Sequence, residues 1–457
     1  MKRIVYLSVI ASLLLGLAGL VTACGPTPTP APTKAPEPTK PAPTPVPPTP
    51  TPLGPVTFLS TQLRPVEEAE KMRKVILAGF PAKVDFIPED TGPFTDRILA
   101  EQKAGKVTVD LVGGLHGDLP PFIEAGALED LTPLLAKLGD RKFPAAFLEL
   151  GRMGTKDKLY YIPWMQATYL LAANKKALQY LPQGANQDAL TYDQLKQWAA
   201  NVQKATGEKK LGFPAGPKGL MHRFFQGYLY PSYTGGQVTG YRSPEAVKMW
   251  QEFKDLWQYV NPQSTTYDFM QEPLLAGEVW IAFDHTARLI NALKQKPDDF
   301  VVMPAPAGPK GLGFMPVIVG LAITKGAPNR AGAEKLIEHL TRPETQVVTL
   351  REVGFFPVVE ATIPKDLPVG IRMEGEGVAK QSAAKAALPS LLPVGLGGKG
   401  GEFNKVYLDT FARIVIKGED IAKVLDEQAK AMQKILDETK APCWPPDAPS
   451  VGPCKVK

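Results

Sequence analysis

The proline-rich segment at residues 25–55 limits what this chain can fold into. About half of its residues are proline, and most of the others are threonine or alanine. Such a segment cannot bury a core, because proline lacks a backbone donor and favours the extended polyproline II conformation. At about 3.1 Å per residue it forms a semi-rigid stalk of up to roughly 90 Å, with a disordered spacer of no set length as the alternative. The globular part of this 457-residue chain therefore begins near Val56.

The N-terminus has the pattern of a secretory signal peptide, which we place at residues 1–23. Lys2 and Arg3 precede an apolar run from Ile4 to about Val21, and small residues follow at the cleavage position. The ending Val-Thr-Ala-Cys24 resembles the lipobox of bacterial lipoproteins, in which the cysteine is acylated. A transmembrane helix is the alternative, but the run is barely long enough to span a bilayer and no basic cluster follows it. We expect Cys24 to be lipidated, residues 24–55 to act as a linker, and the protein to be extracytoplasmic, anchored to the outer face of the cell membrane.

Length and charge exclude some classes of function. The part after residue 55 is long enough for two domains with sizeable cores. Loss of Lys2 and Arg3 with the signal lowers the formal charge from +6 to about +4. Acidic and basic residues are well mixed, with no basic stripe interleaved with aromatic residues, so we expect no nucleic-acid partner.

The two remaining cysteines, Cys443 and Cys454, flank a proline-rich segment near the C-terminus. In an oxidising compartment we expect them to pair and to pin a C-terminal tail, residues 441–457. A metal site is the weaker alternative, because no nearby histidine or CxxC motif completes a ligand set. We expect no metal and no cofactor.

The first elements of the globular part alternate between strand and helix. The pattern predicts strands at 56–59, 84–87 and 107–112, with helices at about 66–79 and 94–104. This order favours a parallel sheet with right-handed crossovers. The carboxyl ends of its strands meet at one edge, where ligands usually bind, and that edge carries Thr61, Asp90 and His116.

Later elements have recognisable start signals. Thr191 and Gln194 form a capping-box pattern, Ser243 precedes a proline at the first helical position, and Asn329 can cap a third helix. A long amphipathic helix is predicted at about 419–438, and strands are predicted at 279–283, 300–303 and 317–323.

Four stretches, in one order and at one spacing, resemble the family 1 extracellular solute-binding proteins, the maltodextrin-binding type of receptor for ABC importers. The first is Val109-Asp-Leu-Val with Glu124-Ala-Gly-Ala-Leu-Glu-Asp-Leu-Thr-Pro. The second is Leu159-Tyr-Tyr-Ile-Pro with Tyr169-Leu-Leu-Ala-Ala-Asn-Lys. The third is Pro273-Leu-Leu-Ala-Gly-Glu-Val-Trp-Ile-Ala-Phe-Asp. The fourth is Met303-Pro-Ala-Pro-Ala-Gly-Pro, Val319-Gly-Leu-Ala-Ile-Thr-Lys and Leu340-Thr-Arg-Pro-Glu-Thr-Gln.

This resemblance implies an α/β, two-lobed periplasmic-binding-protein type II fold with a ligand cleft between the lobes. By position, residues 56–163 and about 314–359 would form the first lobe, and about 164–313 and 360–440 the second. The implied function is binding without catalysis: the lobes close on a small solute, a sugar or oligosaccharide, and deliver it to the transmembrane subunits of an ABC permease. The resemblance also implies a monomer.

Sugar receptors stack aromatic side chains on the apolar faces of sugar rings and aim polar groups at the hydroxyls. Candidate cleft residues supply this chemistry around the first crossing, in an aromatic segment after residue 221, and after the strand near residue 280. They are Trp164, Tyr169, His222, Arg223, Tyr228, Tyr230, Asp284, His285, Phe314 and Phe356, together with Thr61, Asp90 and His116. Trp250 and Trp257 recur at helical spacing and are assigned to the core.

Residues 60–65 lack the tryptophan that many relatives carry, while His285 and Arg288 introduce cationic groups, so an anionic or peptide-like solute is an alternative ligand. A sensor or scaffold subunit and a secreted glycosidase are alternative functions. The string from Gly395 to Gly400 matches GxGxxG but lacks the strand–turn–helix context of a dinucleotide site, so we interpret it as a flexible loop.

Overall fold

A computed structural model describes residues 53–153 and 155–457, so the predicted signal peptide, Cys24 and nearly all of the linker lie outside the described residues. The strands of the described part follow in chain order: β1 (Val56–Ser60), β2 (Val84–Pro88), β3 (Leu111–Leu115), β4 (Ile162–Ala167), β5 (Tyr169–Asn174), β6 (Leu211–Gly212), β7 (Ile281–His285), β8 (Phe300–Met303), β9 (Leu312–Phe314), β10 (Val317–Ile323) and β11 (Ala387–Pro389).

The helices of the described part follow in the same order: α1 (Val66–Lys71), α2 (Thr91–Ala104), α3 (Pro120–Glu124), α4 (Thr132–Lys137), α5 (Ala145–Gly151), α6 (Tyr192–Thr206), α7 (Met221–Phe224), α8 (Tyr230–Thr234), α9 (Pro244–Trp257), α10 (Gln271–Ala276), α11 (Ile290–Gln295), α12 (Arg330–Leu340), α13 (Pro343–Val353), α14 (Val369–Ser382), α15 (Gly400–Phe411) and α16 (Ile421–Thr439). Short π-helical segments extend three of them, at Met72–Ile76, Phe225–Leu229 and Ala412–Ile416. Short 3₁₀ turns lie at Lys175–Tyr180, Gln187–Ala189, Pro262–Thr265, Thr286–Arg288 and Gly397–Lys399.

Two sheets organise these elements. The five-stranded sheet has the order β2-β1-β3-β10-β4, with β1 parallel to β2 and β3 and with β10 antiparallel to β3 and β4. The four-stranded sheet has the order β6-β7-β5-β8. We call the first sheet with α1–α5, α12 and α13 the first lobe, and the second sheet with the remaining helices the second lobe. The short strands β9 and β11 pair in a parallel ladder of their own.

Three segments cross between the lobes. Thr168 joins β4 to β5, residues 304–316 join β8 to β10, and residues 354–368 join α13 to α14. The backbone groups of Gln166 and Phe356 exchange hydrogen bonds of 3.0 and 2.7 Å and so tie the first crossing to the third. The first crossing lies later than the boundary expected near residue 163, because β4 continues to Ala167 in its pairing with β10.

The central strands β1, β3 and β10 of the first sheet are buried on both faces, as expected for a sheet covered by crossover helices. Alternate residues of β1 point to opposite sides, and Phe58 packs with Phe86 and Trp164 on one face. Leu59 belongs to a separate cluster with Phe94 on the other face.

The predicted helix starts are confirmed where a local signal was present. Thr191 and Gln194 form both bonds of a capping box at α6. Ser243 and Asn329 accept hydrogen bonds from the backbone at the starts of α9 and α12.

The predicted continuous helix at 66–79 is wrong in its second half. A π-helical segment follows α1 and changes the helical period, so Val75 is 43% exposed, although α-helical spacing would put it on the same face as Ala69 and Met72. Val66 at the helix start is 80% exposed as well. The third strand begins at Leu111 and not at Val107, because the Asp110 carboxylate accepts hydrogen bonds from the backbone N–H groups of Thr57 and Asn329 at that point.

No helix in the described ranges has both the length and the apolar character needed to cross a membrane.

Candidate functional site

The loops after β1 and β3 build the first-lobe wall of the site. The Thr61 hydroxyl and the Leu115 backbone N–H donate to Asp118 Oδ2 at 2.8 and 3.0 Å. Burial raises the pKa of Asp118, and both hydrogen bonds oppose that rise. Gly114 permits this packing, since a Cβ there would lie 3.3 Å from the Asp118 side chain. Thr61 is thus a positioning group for Asp118, a carboxyl that no sequence pattern marked as a candidate.

His116 makes the link between the lobes at this point. Its Nε2–H donates to the Leu392 carbonyl of the second lobe at 3.0 Å. Burial of the ring lowers the pKa of His116 to about 4, and the charge of Arg223 acts in the same direction. The imidazole is therefore neutral at neutral pH, and it serves as a hydrogen-bond donor to the opposite lobe.

This arrangement predicts a pH dependence of stability. The pKa of His116 is depressed in the folded protein, so its contribution is present above about pH 6.5 and is lost as the pH falls towards about 4. Over that window the free energy of unfolding should fall by up to ~1.4 kcal/mol per pH unit from this group alone. Chemical denaturation at several pH values should give a flatter profile for His116→Gln. Equal slopes for both proteins would contradict the assignment.

The second-lobe wall centres on Arg223 in α7. Arg223 Nη1 donates to Gln226 Oε1 at 3.1 Å, and Gln226 Nε2 donates to Asn404 Oδ1 at 2.9 Å. This chain of side chains fixes the guanidinium and leaves other N–H groups for a ligand, because arginine carries five donors.

A cavity of about 620 Å³ lies between these two walls. From the first lobe it is lined by Thr91, Gly92, Thr95, Asp96, Leu99, Leu115, Gly117, Asp118 and Pro121, and from the second by Arg223, Leu392, Pro393, Leu396, Gly397, Gly398, Gly400, Gly401 and Asn404. The polar lining combines guanidinium and amide donors with carboxylate and hydroxyl acceptors. In the part of the chain that the structure describes, none of the lining residues is aromatic.

The sequence of the chain matches the model of a known protein family. Residues 71–367, more than half of the chain, match the model described as a bacterial extracellular solute-binding protein. The chain belongs to this family. Among curated proteins, none matches this chain.

Solved structures show the same fold. The maltose-bound MalE3 of T. maritima is 20% identical, with 84% of this chain and 100% of that chain covered and a TM-score of 0.66. The sugar-binding protein MalE of Xanthomonas citri is 17% identical, with coverage of 84% and 98% and a TM-score of 0.67. UgpB of Mycobacterium tuberculosis in complex with glycerophosphocholine is 19% identical, with coverage of 84% and 99% and a TM-score of 0.64. The two-lobed periplasmic-binding-protein fold expected from the sequence is thereby confirmed.

Several aromatic candidates of this solute-binding protein lie in the cores and not on the cleft wall. Trp164 is fully buried against Phe58 in the first lobe. Tyr230 is fully buried in the second lobe, where its hydroxyl bonds to Trp250 Nε1 at 2.9 Å and to the Tyr241 carbonyl at 3.2 Å. Neither ring presents a face for a sugar, so the expectation that they stack on solute is wrong for this structure.

Tyr169 and Tyr228 belong to the crossing between the lobes. The Tyr228 hydroxyl accepts the Tyr169 backbone N–H at 2.9 Å and lies 3.0 Å from Thr168 Oγ1. The ring of Tyr169 meets the ring of His285 edge-on at 5.0 Å. These contacts fix the first crossing against the second lobe.

The side chains of Asp284 and His285 accept hydrogen bonds from backbone N–H groups of the second lobe. The buried Asp284 carboxylate accepts the backbone N–H groups of Met270 and His285 at 2.9 and 2.7 Å, while burial raises its pKa to about 7. His285 Nδ1 accepts from Ala287 N at 3.2 Å, and burial lowers the pKa of His285 to about 3. Asp284 is therefore a structural carboxyl and not a free hydroxyl acceptor.

The remaining candidates are dispersed. Phe314 and Phe356 are both buried. Phe314 is the last residue of β9, and Phe356 packs with Ile290 in a cluster at the third crossing. Asp90 is exposed before α2, where it pairs with Arg64. His222 adjoins Arg223, and its Nδ1 is buried with no hydrogen-bond partner among the described residues.

A second polar patch lies near Arg288. Its guanidinium stacks over the Phe269 ring at 4.4 Å and donates to the Asp268 carbonyl at 3.1 Å. In the first lobe, burial raises the pKa of Glu68 to about 7, although the charges of Lys71 and Arg288 oppose that rise. Arg288 thus lies near the first-lobe carboxyl of Glu68, as Arg223 lies near that of Asp118.

Proposed function

We propose that this solute-binding protein is the receptor of an ABC importer, which captures a carbohydrate by closure of its lobes and passes it to a membrane permease. One observation carries the proposal: the cavity between the lobes is lined by Arg223 and Asn404 from one side and by Thr95, Asp96 and Asp118 from the other. A hydroxyl group both donates and accepts, so adjacent hydroxyls can satisfy both kinds of lining group at once.

The proposed mechanism is closure driven by contacts to both lobes. A solute stabilises the closed form only as far as it binds that form better than the open one. Groups on opposite walls, such as Asp96 and Arg223, provide this differential affinity because a single solute reaches both only when the lobes are together.

The proposed recognition depends on hydrogen bonds more than on ring stacking. Charge-assisted hydrogen bonds from a guanidinium or to a carboxylate are roughly twice as strong as neutral ones. Two solved structures support a carbohydrate: the T. maritima MalE3 is bound to maltose, and the X. citri MalE is described as a sugar-binding protein. Arg223 in the cavity supports a second candidate, a solute with an anionic group, and the UgpB structure contains the phosphodiester glycerophosphocholine.

Thermal-shift screening tests the proposal. A ligand that binds only the folded state raises the melting temperature by mass action. Mono- and oligosaccharides, sugar acids, glycerophosphodiesters, amino acids, peptides and polyamines form the panel. A shift with a carbohydrate and no product on chromatography supports an import receptor; release of product would instead indicate a glycosidase. A rise in melting temperature only with anionic solutes would make an anionic solute, and not a carbohydrate, the ligand class. No rise with any member of the panel would favour a sensor or scaffold subunit.

We also propose a lipid anchor at Cys24 on the outer face of the cell membrane. The support is the sequence Val-Thr-Ala-Cys24 before a proline-rich linker. A Cys24→Ala variant should move from the membrane to the soluble fraction, because the acyl chains on the cysteine, inserted together in the bilayer, supply the anchoring free energy. Fractionation with immunoblotting measures this. Full membrane retention of the variant would contradict the lipid anchor and would not bear on solute binding in the cavity.

A further inference from the structure

The C-terminal tail, residues 441–457, binds the second lobe through a buried carboxylate. Asp447 is 4% exposed, and it accepts hydrogen bonds from the backbone N–H groups of Gln237 (2.6 Å), Val238 (3.0 Å) and Thr239 (2.9 Å). Gly236 permits this approach, because a Cβ there would lie 2.1 Å from the Asp447 carboxylate. These contacts fix the tail onto one loop between α8 and α9.

A disulfide closes the tail around this carboxylate. Cys443 and Cys454 form a disulfide bond, as predicted from the sequence, and Asp447 lies between them in the chain. The closed loop has fewer conformations than an open one, so the bond favours the conformation that presents Asp447 to its three donors.

The tail also contacts the back of a segment that borders the cavity. We call residues 390–396 the cleft rim, because Leu392, Pro393 and Leu396 line the cavity. The Pro445 carbonyl accepts from Leu391 N at 3.0 Å, and Trp444 Nε1 donates to the Val394 carbonyl at 3.1 Å.

Gln237 connects the same parts from the side. Its buried Nε2 donates to the Leu391 carbonyl of the rim and to the Pro445 carbonyl of the tail, both at 2.8 Å. The rim is therefore held from behind by the tail and by the loop that Asp447 fixes.

The front of the rim meets the first lobe. The Leu392 carbonyl accepts from His116 Nε2, and a Cβ at Gly117 would lie 3.1 Å from the Pro393 carbonyl. We infer that the disulfide-closed tail is a brace that positions the cleft rim against the first lobe, so that Asp447, Gln237 and the Cys443–Cys454 bond are positioning residues for solute capture. The link to capture rests on the proposed function, whereas the position of the rim does not.

Amide hydrogen exchange of the full chain without solute tests the brace. In a Cys443→Ala/Cys454→Ala variant, exchange at residues 390–396 and 237–239 should rise by about ten-fold or more, while β1 and β3 exchange as in the wild type. Asp447→Asn keeps one acceptor oxygen and should give a smaller rise at the same residues, which provides a second test if the double variant folds poorly.

Lys455→Ala is the matched control, because its ammonium group pairs with Asp437 at 3.0 Å on the exposed side of the tail and touches neither rim nor loop. Its exchange at the rim should equal the wild type. Unchanged rim exchange in the disulfide variant would overturn the inference, and so would an equal rise across both sheets, since that pattern means a loss of global stability only. Neither outcome bears on the screen for solutes, so the two proposals fail separately.

Discussion

Replacement of Trp164 by alanine should lower the free energy of unfolding by about 3–5 kcal/mol. The indole is 0% exposed and packs against the Phe58 ring with centroids 5.5 Å apart. The strand that carries it is paired to β10, so the surroundings can collapse only partly into the space that the ring leaves. Chemical denaturation with linear extrapolation measures the change.

Trp164→Phe is the matched control for this prediction. It keeps an aromatic ring in the core and removes an indole N–H that has no hydrogen-bond partner among the described residues. Its cost should stay below about 1.5 kcal/mol, as for other conservative core substitutions. An alanine variant that unfolds at the wild-type midpoint would place Trp164 outside the core and restore it as a candidate for ring stacking.

Arg223→Met should lower the affinity for the solute about 100-fold, since a hydrogen bond to a charged group contributes about 1.5–3 kcal/mol and each factor of ten is about 1.4 kcal/mol. The guanidinium lines the cavity, and Gln226 holds it at 3.1 Å. Methionine preserves much of the apolar stem, so the packing of α7 changes little. Calorimetric titration with the solute found by screening measures the loss.

Arg242→Met controls for the loss of a positive charge in the same lobe. Arg242 pairs with Asp426 at 2.6 Å in a half-exposed ion pair away from the cavity lining. Exposed pairs contribute about 0–1 kcal/mol, so neither stability nor affinity should change much. Equal affinity of the Arg223→Met variant and the wild type would remove Arg223 from the binding site.

Local sequence signals predicted the parts of the fold that depend on local contacts. The capping box at Thr191 and the caps at Ser243 and Asn329 need only residues within one helical turn, and the structure contains all three. The alternation of strands and helices after Val56 similarly predicts the parallel pairing of β1 with β2 and β3. The disulfide could be predicted because the compartment and the number of cysteines left a single pairing.

The faces of strands could not be predicted in the same way. Trp164 lies on β4, which is buried on both faces, so polar and apolar residues do not alternate there to mark the side that meets the cleft. Tyr230 follows a π-helical segment, which changes the helical period and obscures which residues point inward. Aromatic composition alone therefore suggested ring-stacking positions that are core positions.

Several residues that line the cavity had no local sequence pattern that marked them as candidates. Asp118 becomes a candidate only when the loop after β3 meets α7 and the cleft rim, which lie far away in the chain. The glycine-rich string from Gly395 to Gly400 was interpreted as a flexible loop, yet Gly397, Gly398 and Gly400 line the cavity. Polar residues after strand ends indicated the edge of the first sheet at which the cavity lies, and only the folded chain shows which residues share that cavity.

A double-mutant cycle across the cavity tests most directly whether one solute contacts both lobes. Asp96→Ala in the first lobe and Arg223→Met in the second are titrated singly and together with the solute identified by screening. If one solute contacts both lobes, removal of the side chain from one lobe should reduce the effect on affinity of removing the side chain from the other. The coupling energy should then reach at least about 0.5 kcal/mol. Additive losses, or affinity that neither variant changes, would contradict binding between the lobes.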